Sequence, residues 1–115
     1  MLDKTRRIKK EYFEELLKKG KSAFSPLLSV KYLSNRQGKS IFGFVISSKV
    51  AKKATERNLF KRRCRHIIKK NLPLIKDGLT LSFFAKPGVT KLSFAELENE
   101  ITLLLRRLLV FSNKY

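Results

Sequence analysis

The sequence has few acidic residues, one cysteine and one histidine, and each shortage excludes a class of function. Nine Asp and Glu stand against 27 Lys and Arg, for a formal net charge of +18, which leaves nucleic acid or an anionic membrane as the partner. The single cysteine, Cys64, excludes an internal disulfide and a cysteine-based zinc site. The single histidine, His66, and the scattered carboxylates do not form the pattern of a catalytic centre or a two-metal site.

Long apolar runs are also absent. The chain begins MLDKTRRIKK, without an apolar segment, so we expect no secretory signal. Its longest apolar run, ITLLLRRLLVF, contains Arg106 and Arg107 and is too short to cross a bilayer. Binding to a membrane surface needs bulky apolar residues that are free to insert, whereas those of this chain have the pattern of a core. We therefore expect a cytoplasmic protein that binds nucleic acid and no membrane.

The most informative stretch of the sequence is Lys49–Lys70. It contains ten Lys or Arg and one acid, Glu56, so it carries half of the net charge. At about 100° per residue, its apolar residues fall on one side of a helix and its cations on the neighbouring side. A solvated charged face would interleave both signs, and this one does not. The apolar side consists of Phe60, Cys64, Ile67 and Ile68, and the basic side of Asn58, Lys61, Arg62, Arg65 and Lys69.

The spacing of these cations suits RNA. Arg57, Lys61 and Arg65 lie four residues apart, about 6 Å per step along a helix, which is close to the spacing of successive phosphates. Arginine can bind a phosphate through two donors, and Asn58 can contact a ribose hydroxyl or a base edge. A Gly-rich phosphate loop is absent, so the sequence predicts no small-molecule nucleotide substrate. Three aromatic residues could stack on unpaired bases, or pack in the core instead: Tyr12, Phe13 and Tyr32.

The rest of the sequence predicts helices and strands around one small sheet. In order, the elements are a helix over Lys9–Lys19 stopped by Gly20, a strand over Leu27–Leu33, a strand over Ile41–Ser47, the basic helix ending by Leu72, a strand over Leu79–Ala85 after the Asp77-Gly78 turn, and a helix behind the capping-box pair Ser93 and Glu96. Because Ile41–Ser47 is almost continuously apolar, we expect a central strand covered on both faces. The prediction is an α+β fold, a single-domain α/β sandwich over residues 1–115, with residues 1–8 as a possible flexible basic tail.

The stretch Ser47–His66, SSKVAKKATERNLFKRRCRH, resembles the signature of the bacterial ribonuclease P protein subunit, in which a strand runs into a helix with a fixed pattern of cations. Leu59 departs from that pattern, since the family usually has Arg there. The resemblance extends over nearly the whole chain, through IKKEYFEELLKKGKS, FGFVISSKV and FFAKPGVTKLSFAELENEI. The residues that match the signature directly are Arg57, Asn58, Lys61, Arg62 and Arg65.

The resemblance implies an αβββαβα fold with a left-handed βαβ crossover, and a fourth strand hidden near Gly20–Leu33. It implies removal of the 5′ leader from precursor tRNA, with the catalytic groups and the magnesium ions held by a catalytic RNA subunit and not by protein side chains. The RNA subunit would be bound by Lys49, Lys53, Arg57, Asn58, Lys61, Arg62 and Arg65. The leader would lie in a cleft between the first helix and the sheet, lined by Tyr12, Phe13, Leu17, Lys31 and Tyr32.

Two alternatives remain from the residues alone. A ribosomal or ribosome-assembly protein would be equally basic, but it would not need the signature after an apolar strand. A nuclease that acts without RNA would need a cluster of metal-binding carboxylates, which the sequence does not show.

Overall fold

In the computed structural model, residues 4–36 and 38–108 are described, and they fold as one α+β unit. The order of helices and strands is αβββαβα, as the family resemblance implied. The main elements are α1 (Lys10–Lys19), β1 (Lys21–Phe24), β2 (Leu28–Ser34), β3 (Ile41–Val45), α2 (Ala54–Asn71), β4 (Leu79–Ala85) and α3 (Phe94–Arg107). Short 3-10 turns cover Lys4–Arg6, Leu72–Leu74 and Val89–Lys91. The hidden fourth strand is β1, and it lies within the predicted range.

The strands of the described sheet are ordered β1-β2-β4-β3. β1 and β2 are antiparallel, β2 and β4 are antiparallel, and β3 and β4 are parallel and joined through α2. The hand of this crossover stays a prediction. β3 therefore lies at the edge, and the prediction of a central strand was wrong. Its apolar run reflects two covered faces, since the neighbouring residues Ile41 and Phe42 are both buried.

The main hydrophobic core lies on the side of the sheet that faces α2 and α3, here called the α2/α3 face. From the sheet it takes Leu28, Val30, Leu81 and Phe83, among others. The helices contribute the apolar residues that their periodicity predicted: Phe60, Cys64, Ile67 and Ile68 from α2, and Leu97, Ile101, Leu104 and Leu105 from α3. The apolar stripe of α3 therefore packs in the core.

The opposite side of the sheet, here called the α1 face, is more polar and is only partly covered. Since side chains alternate along a strand, the register places one set of residues here: Ser22, Phe24, Ser29, Lys31, Leu33, Ile41, Gly43, Val45, Thr80, Ser82 and Phe84. α1 covers part of this face, and Leu16 is its buried residue. The uncovered part remains available to a partner.

The helix ends have identifiable causes. α1 ends at Lys19, as predicted, but Gly20 has an extended backbone and not a left-handed one. Glycine is required there because a Cβ would lie 2.5 Å from the carbonyl oxygen of Leu16. The predicted capping box of α3 is present, with Glu96 N donating to the Ser93 side chain and Ser93 N donating to the Glu96 carboxylate. These hydrogen bonds lower the pKa of Glu96.

The N-terminal segment packs against β3 over residues 4–8, within the range that the sequence assigned to a possible flexible tail. Arg7 forms a parallel bridge with Phe42, and Arg6 donates from NH1 to the Ser40 carbonyl at 3.0 Å. Ile8 packs close to Gly43, where a Cβ would meet its side chain at 3.0 Å. This segment therefore covers the outer edge of β3. Residues 1–3 lie outside the described residues.

Candidate nucleic-acid interface

The basic face of α2, defined as Asn58, Lys61, Arg62, Arg65 and Lys69, is present as predicted. Asn58, Arg62 and Lys69 are exposed, and Lys61 and Arg65 are half-buried. The face is fixed in orientation because Phe60, Cys64, Ile67 and Ile68 are 5% exposed or less on the neighbouring side of the helix. Burial of those four side chains leaves the helix little freedom to rotate, so the cations project as an ordered array.

The acidic residues of α3 are engaged elsewhere, which leaves the charge of this face largely uncompensated. Glu96 caps α3, and Glu100 accepts hydrogen bonds from Ser25 Oγ and Leu27 N. Glu98 forms an ion pair with Lys70 at 3.1 Å, which is the one salt bridge between described residues. Because Lys70 lies off the basic face, its ion pair with Glu98 does not neutralise the cations of that face.

Arg57 has a structural task that the sequence did not reveal. Its NH1 group donates to the carbonyls of Ala51 and Lys52, both at 2.8 Å. These bonds fasten the loop before α2 to the first turn of the helix. Lys49 and Lys53 are exposed on that loop, and Lys53 is the residue that precedes α2. Arg57 therefore holds the loop that presents two of the predicted RNA-binding residues.

We expect Arg57→Ala to destabilise this loop, whereas Arg65→Ala should not. A hydrogen bond to a charged group contributes ~1.5–3 kcal/mol, reduced here by partial exposure, so a loss of about 1–2 kcal/mol is expected. Urea denaturation measures the global change, and amide exchange at residues 50–54 measures the local one. Equal stability of the two variants, with unchanged exchange in the loop, would show that these hydrogen bonds are unimportant.

Leu59, where the sequence departs from the signature pattern, does not lie on the basic face. It is 38% exposed and lies on the side of α2 that faces the segment between β4 and α3. Together with Phe60, Arg63, Leu92 and other residues it lines a cavity of about 100 Å³. An arginine at this position would project from a different side of the helix than Lys61 and Arg65.

The predicted cleft between α1 and the sheet is also present, on the α1 face. The rings of Phe13 and Phe84 lie 6.2 Å apart at an angle of 42°. Lys31 is half-buried and its Nζ donates to the Leu17 carbonyl at 3.3 Å, while the Leu17 side chain is 44% exposed. Phe13, Leu17 and Lys31 are thus brought together, with Phe84 as an additional aromatic wall.

The two tyrosines predicted for the cleft have different surroundings. Tyr32 is on the α2/α3 face and packs against the main core, because it alternates with Lys31 along β2. Tyr12 lines a cavity between α1 and the α1 face of the sheet, with Leu33, Asn35 and Thr80, apart from the contact between Phe13 and Phe84. We therefore exclude Tyr32 from the cleft, and core packing explains its side chain.

Cys64 lies on the buried side of α2, as the sequence predicted, and His66 lies on its exposed side. Cys64 is buried within the core, and burial raises the pKa of its thiol. His66 is exposed, and its ring forms a T-shaped pair with the ring of Phe94, with 5.6 Å between centroids. Within the described residues no three His, Cys, Asp or Glu side chains are grouped so as to hold a metal ion. The same residues contain no helix long and apolar enough to span a bilayer.

Two features of the α1 face were missed from the sequence. Phe84 was treated as part of an apolar strand, although alternation along β4 places it with Thr80 and Ser82, away from Leu81 and Phe83. That alternation was visible in LTLSFFA and could have identified it. Phe24 was not considered, because β1 has only four residues and no strong strand pattern.

Comparison with known proteins gives one family. Residues 2–109 match the family model described as Ribonuclease P. The chain is 38% identical over 88 residues to the ribonuclease P protein component of Synechocystis sp., covering 75% of this chain and 71% of that protein. With the corresponding protein of Streptococcus pneumoniae serotype 4 it shares 31% identity over 101 residues, which cover 87% and 81%.

Solved structures agree with the sequence relatives. A mutant RNase P protein from Staphylococcus aureus superposes with a TM-score of 0.86 at 25% identity, covering 94% of this chain and 92% of that one. The RNase P protein from Thermotoga maritima gives a TM-score of 0.79 at 26% identity, with 88% and 96% covered. The arrangement of helices and strands is therefore shared with these proteins.

Proposed function

Because the chain belongs to the ribonuclease P protein family, we propose that it is the protein subunit of the tRNA-processing ribonucleoprotein. In this proposal it binds the catalytic RNA subunit and the 5′ leader of precursor tRNA, and it assists removal of the leader. The observation that carries the proposal is the separation of two surfaces: an ordered basic face on α2, and an aromatic cleft on the α1 face of the sheet.

The basic face of α2 suits the larger, folded RNA. Its cations carry charge that carboxylates of the described chain do not neutralise, and their helical spacing matches a phosphate backbone. Arg62 and Arg65 can each bind a phosphate through two donors, whereas Lys61 and Lys69 act as point charges. Phosphate contacts of this kind fix position without reading sequence, as an RNA subunit of fixed structure requires.

The cleft suits an unpaired strand. Phe13 and Phe84 offer partly exposed ring surface, and Lys31 supplies a cation beside them. Bases of a single strand stack on such rings whatever their sequence, which a variable tRNA leader needs. This arrangement supports leader binding by Phe13, Leu17 and Lys31.

We place the magnesium ions of the reaction on the RNA subunit and the substrate. The protein would act by positioning these two RNAs, and the isolated chain would be inactive. We expect this protein to work in the cytoplasm with precursor tRNA and the catalytic RNA subunit, without a membrane or a small-molecule substrate.

The proposal is tested by reconstitution with the RNA subunit of the same organism. Cleavage of precursor tRNA at the mature 5′ end should require magnesium and the RNA subunit, and the protein should enhance it at low magnesium. RNA-free protein should not cleave. If the protein binds ribosomal RNA but neither binds the RNA subunit nor enhances its cleavage activity, the ribosome-assembly alternative is correct. Rapid cleavage by RNA-free protein would indicate a nuclease that acts without RNA.

Phe13→Ala should weaken holoenzyme binding to precursor tRNA relative to mature tRNA by ~1–3 kcal/mol, because one base–ring contact is lost. Binding of the RNA subunit alone should be unchanged. Equilibrium binding to both tRNA forms measures the effect. A large fall in melting temperature with the leader preference intact would show that Phe13 is a packing residue of α1.

A further inference from the structure

Phe24 is the most exposed large hydrophobic side chain among the described residues, at 61%. It is the last residue of β1 and belongs to the α1 face. A single exposed apolar residue is common on protein surfaces and needs no function. The surroundings of this residue set it apart, because one cation lies over its ring and a second binds its backbone carbonyl.

Lys86 contacts the ring of Phe24, and Arg107 contacts its backbone. The Nζ atom of Lys86 lies over the ring, 5.2 Å from its centroid, and also donates to the Ser25 carbonyl at 2.8 Å. Arg107 donates from NH1 to the carbonyl of Phe24 itself at 2.7 Å. Lys86 lies over the ring, and the 61% exposure of Phe24 leaves ring surface for a stacked group.

The local charge is positive. The acidic residue that contacts the turn after Phe24 is Glu100. Its carboxylate accepts hydrogen bonds from Ser25 Oγ at 2.9 Å and from Leu27 N at 3.2 Å. It therefore stabilises the turn between β1 and β2. An exposed ring beside cations is complementary to a base attached to a phosphate backbone. It is a poor match for an apolar partner that has no acidic residues.

The ring is also in line with the cleft. The strand register pairs Phe24 with Ser29, Ser29 with Phe84, and Phe84 with Val45, so these side chains form one row across the α1 face. Phe24 and Phe84 are separated by two strand spacings, roughly 10 Å. The small side chain of Ser29 lies between them and leaves the path open. The aromatic surface therefore continues from the Phe13–Phe84 pair to the edge of the sheet.

We propose that Phe24, held by Lys86, is a second stacking site for the 5′ leader, beyond the site formed by Phe13 and Phe84. This inference rests on the function proposed above and extends the leader path to β1. The separation of the two sites corresponds to roughly one or two nucleotides of an extended strand. Lys86 also provides a cation for the phosphate next to the stacked base.

A series of precursor tRNAs with leaders of increasing length tests the proposal. With the reconstituted holoenzyme, Phe24→Ala should bind short leaders as tightly as wild type does, and should lose affinity by about 5- to 100-fold once the leader reaches the ring. Phe13→Ala should show its own onset, displaced by one or two nucleotides. Phe24→Trp keeps a stacking surface and should retain most of the affinity.

Leu103→Ala is the matched control, because Leu103 is also an exposed apolar residue, at 41%, but lies on α3. It should not change the dependence on leader length. If wild-type holoenzyme cleaves and Phe24→Ala equals it at every leader length, the second site is refuted while the proposed function stands. If Phe24→Ala alters only self-association in sedimentation, the ring contacts a second copy and the inference is also refuted. Failure of wild type to cleave any precursor refutes the proposed function itself.

Discussion

Replacing Lys61, Arg62 and Arg65 together by alanine should weaken binding to the RNA subunit on the order of several hundredfold. Three phosphate contacts would be lost, each contributing about 1–1.5 kcal/mol net. The slope of log affinity against log salt should fall by roughly 2–3, since each contact accounts for about 0.7–0.9. The helix itself should persist, because alanine favours helix and these side chains lie off the core.

The structure supplies controls that separate specific contacts from general charge. Lys70→Ala removes a cation from the same helix, but that cation is already paired with Glu98 and lies off the basic face. Lys19→Ala removes an exposed cation at the end of α1. Both should change affinity and slope little. Arg65→Lys keeps the charge but not the two-donor geometry, so it should retain the slope and lose part of the affinity.

Salt titration of binding to the RNA subunit, with all variants checked for equal melting temperature, makes the comparison. If a triple variant lacking Lys18, Lys19 and Lys70 lost as much affinity and slope as the variant lacking Lys61, Arg62 and Arg65, the position of the charges would be irrelevant. The ordered basic face would then have no special part in binding.

The second large effect is expected in the core, at Phe83. This side chain is fully buried on the α2/α3 face and stacks on Phe44, with ring centroids 5.9 Å apart and planes within 10°. Phe83→Ala should cost about 3–5 kcal/mol, because the transfer free energy is lost and a cavity remains. Small domains have total stabilities of ~5–15 kcal/mol, so the variant should be partly unfolded at moderate temperature.

Phe24→Ala is the matched comparison for Phe83→Ala, because the same substitution is made on the same sheet at an exposed ring. Its free energy of unfolding should change by less than about 1 kcal/mol. Urea denaturation of both variants measures the difference. Excess RNA subunit should restore part of the activity of Phe83→Ala, since a ligand that binds the folded state shifts the folding equilibrium. Equal stability of the two variants would contradict the assigned core.

Some of the candidate site followed from local pattern. The basic face of α2 could be predicted because helical periodicity relates residues within a few turns, and burial of Phe60, Cys64, Ile67 and Ile68 then fixes the cations beside them. Phe13 was among the aromatic residues that could stack on bases, and Lys31 came from the family resemblance; the structure places both on the side of the sheet that α1 covers. Whether they bind the leader stays a prediction.

Other parts of the site could not be found locally. Tyr32 was assigned to the cleft together with Lys31, although adjacent strand residues point to opposite faces, and only the packing of α2 and α3 identified its face as the core side. The binding of Arg57 to two loop carbonyls depends on the path of the loop before α2. Phe24 and Lys86 are far apart in sequence and meet because β1 and the end of β4 flank β2.

Local pattern predicted the span Leu79–Ala85 of β4, the capped start of α3 and the buried and basic sides of α2, because each depends on residues close together in the chain. The full order of elements, with β1 included, came from the family resemblance. The strand order β1-β2-β4-β3, the place of β3 at the edge, and the row of aromatic and cationic side chains on the α1 face depend on tertiary packing. An apolar run indicates that both faces of a strand are covered. The neighbours of that strand in the sheet depend on contacts between segments that are distant in the chain.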